Sequence, residues 1–416
     1  MSKYLINGGK PLNGEINIQG AKNSVLPILS ASLLTQQKVV IRNVPRLRDV
    51  DNMLKILKNL GVDYQFEDNV VVITPSTLSS YEIPSGLARE LRSSIFLLGS
   101  VLAREKRAKV AYPGGCDIGL RPIDLHIKAL KEMGVKIVEE GGYVYCDAEN
   151  MEPSSITLDY PSVGATENVM LLATAIDGVT TIANSAEEPE IEDLQNFINA
   201  MGGEVSGAGT PFLKIKGGKP LKSVDYTVMP DRIEAGTFII GTVLTGGEVL
   251  LKGARADHLN ALFSKIQKWD CKIEWSGGNI LVSASGKRGE LGIIETKPYP
   301  GFPTDLQAEI CVLGAVANGS TMIVENLFET RYKHIPELQK MGAQVKVKDR
   351  IAVFNGVKEL TGAEVNAFDL RGGAGLVLAG LIARGVTEVN NVHFIERGYE
   401  DFDIKLRKLG ADIIKK

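Results

Sequence analysis

The fold is decided by a stretch that recurs along the chain, and its clearest copy is Met133-Gly-Val-Lys-Ile-Val-Glu-Glu-Gly-Gly-Tyr-Val-Tyr-Cys146. An amphipathic helical pattern ends at Met133, and Gly134 follows at the position where helices commonly stop in a left-handed residue. Two short β patterns then flank Gly141-Gly142, a pair that favours a tight turn. The stretch therefore predicts a helix that ends at a glycine and continues into a β-hairpin.

The same junction occurs six times at intervals of about 70 residues, which indicates an internal repeat. The copies are Leu60-Gly61-Val62, Met133-Gly134-Val135, Met201-Gly202-Gly203, the degenerate Trp269-Asp270-Cys271, Met341-Gly342-Ala343 and Leu409-Gly410-Ala411. A hairpin pattern follows five copies, whereas the sixth is followed by one strand. We expect that strand to pair with the N-terminal segment 4–18, which would turn at Asn13-Gly14.

Each repeat also contains a second helical pattern that is apolar nearly all round, which is typical of a helix buried on every side. These patterns cover 25–34, 95–103, 169–176, 238–244, 310–317 and 376–382. The repeat is thus apolar helix, strand, amphipathic helix, strand, strand. Three repeats that bury their apolar helices together would form a lobe. The sequence therefore predicts an α/β protein with a first lobe, 21–229, and a second lobe, 1–20 plus 230–416.

Composition and charge indicate a globular protein. Of 416 residues, 44% are hydrophobic and 23% charged, and the net charge is −3, which predicts full apolar cores and no nucleic-acid or membrane interaction. No signal peptide or membrane-spanning run is visible. The four cysteines are dispersed along the chain, which favours a reducing compartment. Neither the cysteines nor the four histidines have the spacing of metal ligands. We expect a cytoplasmic protein without a metal, a cofactor or an obligate protein partner.

A loop rich in glycine and proline is the clearest candidate for chemistry. It reads Pro113-Gly-Gly-Cys-Asp-Ile-Gly-Leu-Arg-Pro122 and contains Cys116 and Arg121. Glycine lets a backbone approach a ligand closely, and a thiol acts as an acid or a nucleophile once its pKa moves towards neutrality. Arginine binds carboxylate or phosphate through two parallel hydrogen bonds. The pair predicts chemistry on a small anion, and a surface loop with an incidental cysteine is the alternative.

The motifs along the chain resemble those of the enolpyruvyl transferases that act on UDP-N-acetylglucosamine. The resemblance rests on Gly20-Ala-Lys-Asn23, the 113–122 loop, Ser162-Val-Gly-Ala-Thr166, Glu188-Pro-Glu190, Pro230-Asp-Arg-Ile-Glu234, Phe302-Pro-Thr-Asp305, Arg331, Asp369-Leu-Arg371 and Glu396-Arg-Gly-Tyr399. It covers the whole chain in order. It implies a two-lobed inside-out α/β barrel with three repeats per lobe and an active site in the interlobe cleft, in agreement with the repeat pattern.

The resemblance implies a metal-free transfer reaction between phosphoenolpyruvate and UDP-N-acetylglucosamine. Addition would give a tetrahedral ketal, and loss of phosphate would then give the 3-O-enolpyruvyl sugar nucleotide. This reaction is the first committed step of peptidoglycan synthesis, which links it to cell shape and division. Two alternatives stay open: the sister transferase that acts on shikimate 3-phosphate, and a non-catalytic repeat scaffold that binds a partner.

The resemblance also implies roles for individual residues. Cys116 is the implied general acid, is open to covalent modification as 2-(S-cysteinyl)pyruvic acid O-phosphothioketal, and is the implied target of fosfomycin. Asp305 is the implied base at the sugar hydroxyl, and Lys22 and Arg397 complete the catalytic set. The implied substrate-binding residues are Lys22, Asn23, Arg92, Arg121, Pro122, Ile123, Asp124, Leu125, Ser162, Val163, Gly164, Asp305, Leu327, Arg331, Arg371 and Arg397.

Several of these residues have structural alternatives. Lys22 is alternatively a solvated surface cation. Asn23 and Asp305 are each placed where a side chain could cap the following helix. Glu188 and Glu190 could cap a helix over 191–201, and the resemblance gives them no definite role.

Overall fold

The computed structural model describes residues 2–112 and 123–416, so Cys116, Arg121 and Pro122 lie outside the described residues. The described residues form two compact units, each with its own apolar core. The first unit comprises 20–112 and 123–229, and the second unit comprises 2–19 and 230–416.

Helices and strands alternate through the first unit. Its helices are α1 (Lys22–Ala31), α2 (Arg48–Asn59), α3 (Ser85–Glu90), α4 (Leu97–Glu105), α5 (Asp124–Glu132), α6 (Val163–Ala173) and α7 (Pro189–Ala200). Its strands are β3 (Val39–Arg42), β4 (Asp63–Glu67), β5 (Val70–Thr74), β6 (Arg107–Ala111), β7 (Lys136–Glu140), β8 (Tyr143–Asp147), β9 (Ser155–Thr157), β10 (Gly178–Ala183), β11 (Glu204–Ser206), β12 (Phe212–Gly217) and β13 (Val224–Thr227).

The second unit repeats this alternation. Its helices are α8 (Arg232–Thr245), α9 (Asn260–Ile266), α10 (Gln307–Val316), α11 (Ile335–Lys340), α12 (Leu370–Ile382) and α13 (Phe402–Lys408). Its strands are β1 (Lys3–Asn7), β2 (Leu12–Asn17), β14 (Gly247–Lys252), β15 (Cys271–Ser276), β16 (Asn279–Ala284), β17 (Ile293–Glu295), β18 (Ser320–Val324), β19 (Gln344–Lys348), β20 (Ile351–Asn355), β21 (Glu364–Asn366), β22 (Val386–Asn390) and β23 (Asp412–Lys415).

Each unit contains three sheets packed on apolar helices. The sheets of the first unit have the orders β13-β3-β5-β4, β6-β8-β7 and β11-β12-β10-β9, and those of the second have β15-β16-β14-β2, β17-β18-β20-β19 and β21-β22-β1-β23. In the second unit α8, α10 and α12 pack against one another, and in the first α4 packs on both α1 and α6. Strands such as β12 alternate exposed and buried residues, because one face covers these helices. The predicted α/β fold with three repeats in each half is confirmed.

The strand pairing confirms most of the repeat prediction. All five hairpins are present, as β4–β5, β7–β8, β11–β12, β15–β16 and β19–β20. The N-terminal strand β1 pairs with β23 and so completes the sixth repeat. The predicted turn at Asn13-Gly14 is wrong, because both residues lie inside β2, where Gly14 stands opposite Val249 of β14. Residues 8–11 connect β1 to β2, and the two strands belong to different sheets.

Two strands are exchanged relative to the other repeats. In three repeats the short strand before an apolar helix pairs in parallel with the strand after it, as β9–α6–β10, β17–α10–β18 and β21–α12–β22, and an isolated parallel bridge between Glu82 and Lys109 does the same around α4. By contrast, β2 precedes α1 but pairs with β14, and β13 precedes α8 but pairs with β3. The exchange coincides with the two points where the chain passes from one unit to the other, after Gln19 and after Met229.

Five of the six apolar helices begin earlier than their hydrophobic patterns predict, whereas α4 begins at Leu97, two residues after the start of its pattern. The added residues include buried polar side chains, among them Glu167 and Asn168 in α6, Glu234 in α8, Glu309 in α10 and Arg371 in α12. The apolar periodicity of the sequence breaks at such residues. Because buried charged residues are rare, a charged residue is normally taken as exposed and outside the buried helix.

Glu167 gives this observation a measurable consequence. Burial raises the pKa of its carboxyl well above the usual value, and the charges of Glu190 and Glu188 raise it further. Neither oxygen has a hydrogen-bond partner among the described residues. A raised folded-state pKa stabilises the fold below the unfolded pKa of about 4.3, and this stabilisation is lost as the pH rises towards the folded value.

Glu167→Gln should therefore raise the melting temperature relative to wild type more at pH 8 than at pH 5. The substituted amide cannot ionise, so we expect a difference of about 3 °C or more at pH 8. Thermal denaturation of both proteins at the two pH values measures it. An equal difference at both values would show that ionisation of Glu167 plays no part.

Candidate active site

Three of the predicted site residues meet in the second unit. Asp305 lies in the 3-10 helix Thr304–Leu306, just before α10. Its Oδ1 accepts a hydrogen bond from Nη2 of Arg331 at 2.9 Å, and its Oδ2 accepts one from Nη2 of Arg371 at 3.3 Å. The two arginine side chains are only 4% and 2% exposed, whereas that of Asp305 is 27% exposed. The carboxylate therefore joins two buried cations to the surface of the unit.

The capping alternative for Asp305 is wrong. The N-cap position of α10 belongs to Leu306, which makes no side-chain capping bond. The carboxylate of Asp305 is directed instead to the two guanidinium groups.

Both arginines remain cationic although they are buried. Burial alone lowers the pKa of Arg331, but the neighbouring carboxylates, Asp305 foremost, outweigh burial and raise the pKa above its usual value. The pKa of Arg371 is likewise raised, because neighbouring groups that include Tyr399 and Asp305 outweigh its burial. The guanidinium of Arg371 also lies over the ring of Tyr399, 5.2 Å from its centroid. Such fixed positive charge suits a carboxylate or phosphate ligand.

The turn that contains Arg397 lies beside Arg371. Arg397 is buried at the end of the 3-10 helix Val392–Arg397. A Cβ on the next residue, Gly398, would stand 3.5 Å from Nη1 of Arg371, which is an ordinary contact distance, so this turn adjoins the guanidinium. Gln19 holds the turn: its Nε2 donates to the carbonyl of Gly398 at 3.0 Å, and its Oε1 accepts from the N–H of Glu400 at 2.8 Å.

In the first unit, Lys22 is a buried, paired cation. It is the first residue of α1, after the N-cap Ala21, and its Nζ lies 2.6 Å from Oδ2 of Asp49 in α2. The surface-cation alternative is therefore wrong. Asn23 lies inside the first turn of α1, so the capping alternative for it is also wrong. The carboxylate of Glu188 likewise makes no capping bond at the start of α7, and Glu190 lies within that helix.

In the first unit, the described residues predicted to bind the sugar nucleotide lie at the starts of three neighbouring elements. Arg92 begins the 3-10 helix Arg92–Phe96, Ile123, Asp124 and Leu125 lie at the start of α5, and Ser162, Val163 and Gly164 lie at the start of α6. A Cβ on Gly164 would stand 2.8 Å from Cε1 of His126 and 2.9 Å from Cε1 of Phe96. Glycine at this position therefore allows the three elements to approach.

Asn168 joins these elements, and the sequence analysis missed it. Its Nδ2 donates to the carbonyl of Ile95 at 3.0 Å and lies 2.8 Å from Nδ1 of His126. Its Oδ1 accepts from the N–H of Gly99 at 2.8 Å. The sequence does contain a sign of this role, which is an asparagine inside an otherwise apolar helix. A buried amide needs hydrogen-bond partners, so such a residue predicts contacts to neighbouring elements. Ser162 caps the same helix, and its Oγ accepts from the N–H of Ala165 at 3.3 Å.

Leu327 follows β18 and is half-buried. Its N–H donates to Oε1 of Glu325 at 2.9 Å. Within 2–112 and 123–416, no group of three or more His, Cys, Asp or Glu is arranged to hold a metal ion. Nor does any helix in those ranges have the length and apolar character needed to cross a membrane.

Comparison with known proteins shows which family the chain resembles along its whole length. The family model described as EPSP synthase (3-phosphoshikimate 1-carboxyvinyltransferase) matches residues 6–406. The chain is 48% identical over 415 residues to UDP-N-acetylglucosamine 1-carboxyvinyltransferase 2 of Caldanaerobacter subterraneus subsp. tengcongensis, with 100% of both chains covered. It is 46% identical to UDP-N-acetylglucosamine 1-carboxyvinyltransferase of Halothermothrix orenii, again with 100% of both chains covered.

Solved structures give the same relationship. The enolpyruvyl transferase NikO from Streptomyces tendae has a TM-score of 0.89 at 25% identity and covers 100% of this chain and 99% of its own. EPSP synthase from Acinetobacter baumannii has a TM-score of 0.75 at 17% identity, with 100% of both chains covered, which supports the fold alone. Because the family model and the relatives both match the chain along its length, the chain belongs to the enolpyruvyl transferase family, the 1-carboxyvinyltransferases.

Proposed function

We propose that this chain transfers the enolpyruvyl group of phosphoenolpyruvate to the 3-hydroxyl of UDP-N-acetylglucosamine and releases phosphate. The observation that carries the proposal is the Asp305 carboxylate between two buried arginines, in a chain 48% identical to a relative named for this activity. The reaction would be the first committed step of peptidoglycan synthesis. Its two water-soluble substrates favour a cytoplasmic location. The peptidoglycan step would link the protein to cell shape and division.

The proposed reaction proceeds by addition and elimination. In the addition, Asp305 takes the proton of the sugar 3-hydroxyl while the oxygen bonds to C2 of phosphoenolpyruvate, and Cys116 delivers a proton to the methylene carbon. In the elimination, the new methyl group returns a proton to the Cys116 thiolate, the C2–O bond to phosphate breaks, and the proton held by Asp305 leaves with the phosphate. The net change is a new ether bond at C2 in place of the bond to phosphate, and both side chains regain their starting protonation states.

The cations of the chain suit the charge of the substrate. Phosphoenolpyruvate carries a carboxylate and a phosphate, and we propose that Arg331 and Arg371 bind the former while Lys22, Asn23, Arg121 and Arg397 bind the latter. Burial of Arg371 and Arg331 supports this role, because a preorganised cation that water does not screen acts strongly on developing charge. Arg92, 122–125, 162–164 and Leu327 would bind the sugar nucleotide.

A coupled phosphate-release assay tests the proposal. Phosphate should appear when phosphoenolpyruvate and UDP-N-acetylglucosamine are both present, and not when either is omitted. Shikimate 3-phosphate in place of the sugar nucleotide serves as the control, since the matching family model is described by that activity. Thermal shift adds a second readout, because a ligand at 100 times its Kd stabilises the folded protein by about 2.7 kcal/mol.

If phosphate is released with phosphoenolpyruvate and shikimate 3-phosphate but not with phosphoenolpyruvate and UDP-N-acetylglucosamine, the substrate assignment is overturned in favour of the sister transferase. Binding of the sugar nucleotide without any phosphate release would favour the non-catalytic scaffold. Asp305→Ala should lack most of the turnover and serves as the low-activity reference for the phosphate-release assay.

A further inference from the structure

A buried carboxylate with no part in the proposed chemistry follows β18. Glu325 is 0% exposed. Its Oε1 accepts hydrogen bonds from the hydroxyl of Thr296 at 3.0 Å and from the N–H groups of Leu327 at 2.9 Å and Phe328 at 3.1 Å. Its Oε2 accepts one from the hydroxyl of Thr304 at 2.9 Å. A charge is costly to bury unless it is hydrogen-bonded, and four donors meet that requirement here.

The donors lie next to residues of the candidate site. Thr304 directly precedes Asp305 in the same 3-10 helix. Leu327 is itself a proposed nucleotide contact. The ring of Phe328 lies against Arg331, whose guanidinium carbon is 5.5 Å from the ring centroid. One carboxylate is thus linked to the proposed base, to a proposed nucleotide contact and to one of the arginines that hold the base.

A second set of bonds fixes the carboxylate itself. The hydroxyl of Thr296 accepts from the N–H of Asn326 at 2.9 Å, and the side chain of Asn326 donates back to the carbonyl of Thr296 at 3.1 Å. The N–H of Thr296 donates to the carbonyl of Val324 at 2.9 Å. The residues on both sides of Glu325 are therefore hydrogen-bonded to Thr296 at the end of β17, so the backbone at Glu325 is held in place.

We infer that Glu325 is a positioning residue for the transfer reaction: it sets the places of Asp305, Leu327 and Arg331 and touches no reacting atom. This inference rests on the proposed function. A catalytic group must be held within about 0.5 Å of its productive place, and a misplacement of about 1 Å can cost about 100-fold in rate. Glu325 and Thr296 are both 0% exposed, so water cannot replace the bond between them without opening a buried region.

A series of variants at Glu325 separates the hydrogen bonds from the charge. Glu325→Gln keeps an oxygen for Thr296 and the two backbone amides, and its NH₂ can donate to Thr304, so kcat should fall by less than about 10-fold. Glu325→Asp shortens the side chain by about 1.5 Å and should break the bond to Thr304. Glu325→Ala removes all four bonds and should lower kcat by about 100-fold.

Thr304→Val tests the link to Asp305 alone, with little change in volume. It should lower kcat by about 10-fold and leave KM for UDP-N-acetylglucosamine unchanged, because only the base is released. Asp403→Asn is the matched control in the same unit. Asp403 is a buried carboxylate paired with Arg407 at 2.9 Å, and its loss should lower the melting temperature without lowering kcat per folded molecule.

Rates are compared per folded molecule, with hydrogen exchange over 325–331 as a second readout. The inference predicts faster exchange of the Leu327 and Phe328 amides in Glu325→Ala, with recovery in Glu325→Gln. It is overturned if Thr304→Val and Glu325→Ala keep kcat within about threefold of wild type, or if those amides exchange at the wild-type rate. If wild type itself releases no phosphate, the proposed function fails, whereas the exchange data still decide whether Glu325 holds the loop.

Discussion

Asp305→Ala should lower kcat by about 10²- to 10⁴-fold, which is the usual contribution of a positioned general base. The same change should alter the Kd for UDP-N-acetylglucosamine far less, because a base acts chiefly in the transition state. Steady-state phosphate release gives kcat, and isothermal titration calorimetry gives Kd. The surrounding geometry supports a large effect, since Asp305 is the partly exposed member of a cluster whose arginines are buried.

The loss of the carboxylate also leaves two buried cations without their common partner. Folding must therefore be checked by thermal denaturation, because breaking a buried ion pair can be strongly destabilising. Asp305→Asn is the second variant: it preserves the volume and removes the basic oxygen. If either variant raises KM while kcat stays intact, Asp305 only holds the sugar and the base lies elsewhere.

The local parts of the fold could be predicted from the sequence. Gly134 and its equivalents mark helix ends because a left-handed residue follows the last turn, and Gly134 has a φ of +85°. Alternation of side chains marks the second strand of each hairpin, as in β5, β8 and β12, because alternate residues there are buried. Both signals act within a few residues, so neither depends on the rest of the structure.

Most non-local parts could not be predicted, and the pairing of β1 with β23, which followed from the repeat count, is the exception. Asn13-Gly14 favours a turn by itself, but pairing of β2 with the distant β14 imposes an extended strand. In the same way, Arg331 and Arg371 are 26 and 66 residues from Asp305, and no spacing rule brings them together. The resemblance supplied their identity, whereas their mutual contact required the structure.

Supporting residues were missed for a related reason. Glu325 follows a strand and Asn168 lies in an apolar helix, and neither belongs to a motif with a known chemical role. Their importance follows from how many partners each holds in place, and partners are set by tertiary packing. Reactive groups are therefore easier to predict from the sequence than the groups that orient them.

Cys116→Ser should abolish alkylation by the epoxide phosphonate fosfomycin and lower turnover by about 100-fold or more, since a hydroxyl is a much weaker acid than a thiol. The family resemblance gives Cys116 this role. The other cysteines support the expected selectivity. Burial raises the pKa of Cys146 to about 12 and also raises the pKa values of Cys271 and Cys311. Because the thiolate is the reactive form, these three thiols should stay unmodified.

Cys116→Asp distinguishes an acid from a nucleophile at this position. A carboxyl can donate a proton only below its pKa, which is about 3.9 for an unperturbed aspartate, so this variant should escape alkylation and retain more activity as the pH falls. Cys271→Ser is the control, because Cys271 is half-buried and its loss should change neither alkylation nor turnover. Mass spectrometry of the inhibited proteins locates the adduct, and pH–rate profiles compare the variants. An adduct on Cys271, or full activity in Cys116→Ser, would remove Cys116 from the mechanism and leave the proton donor to another group.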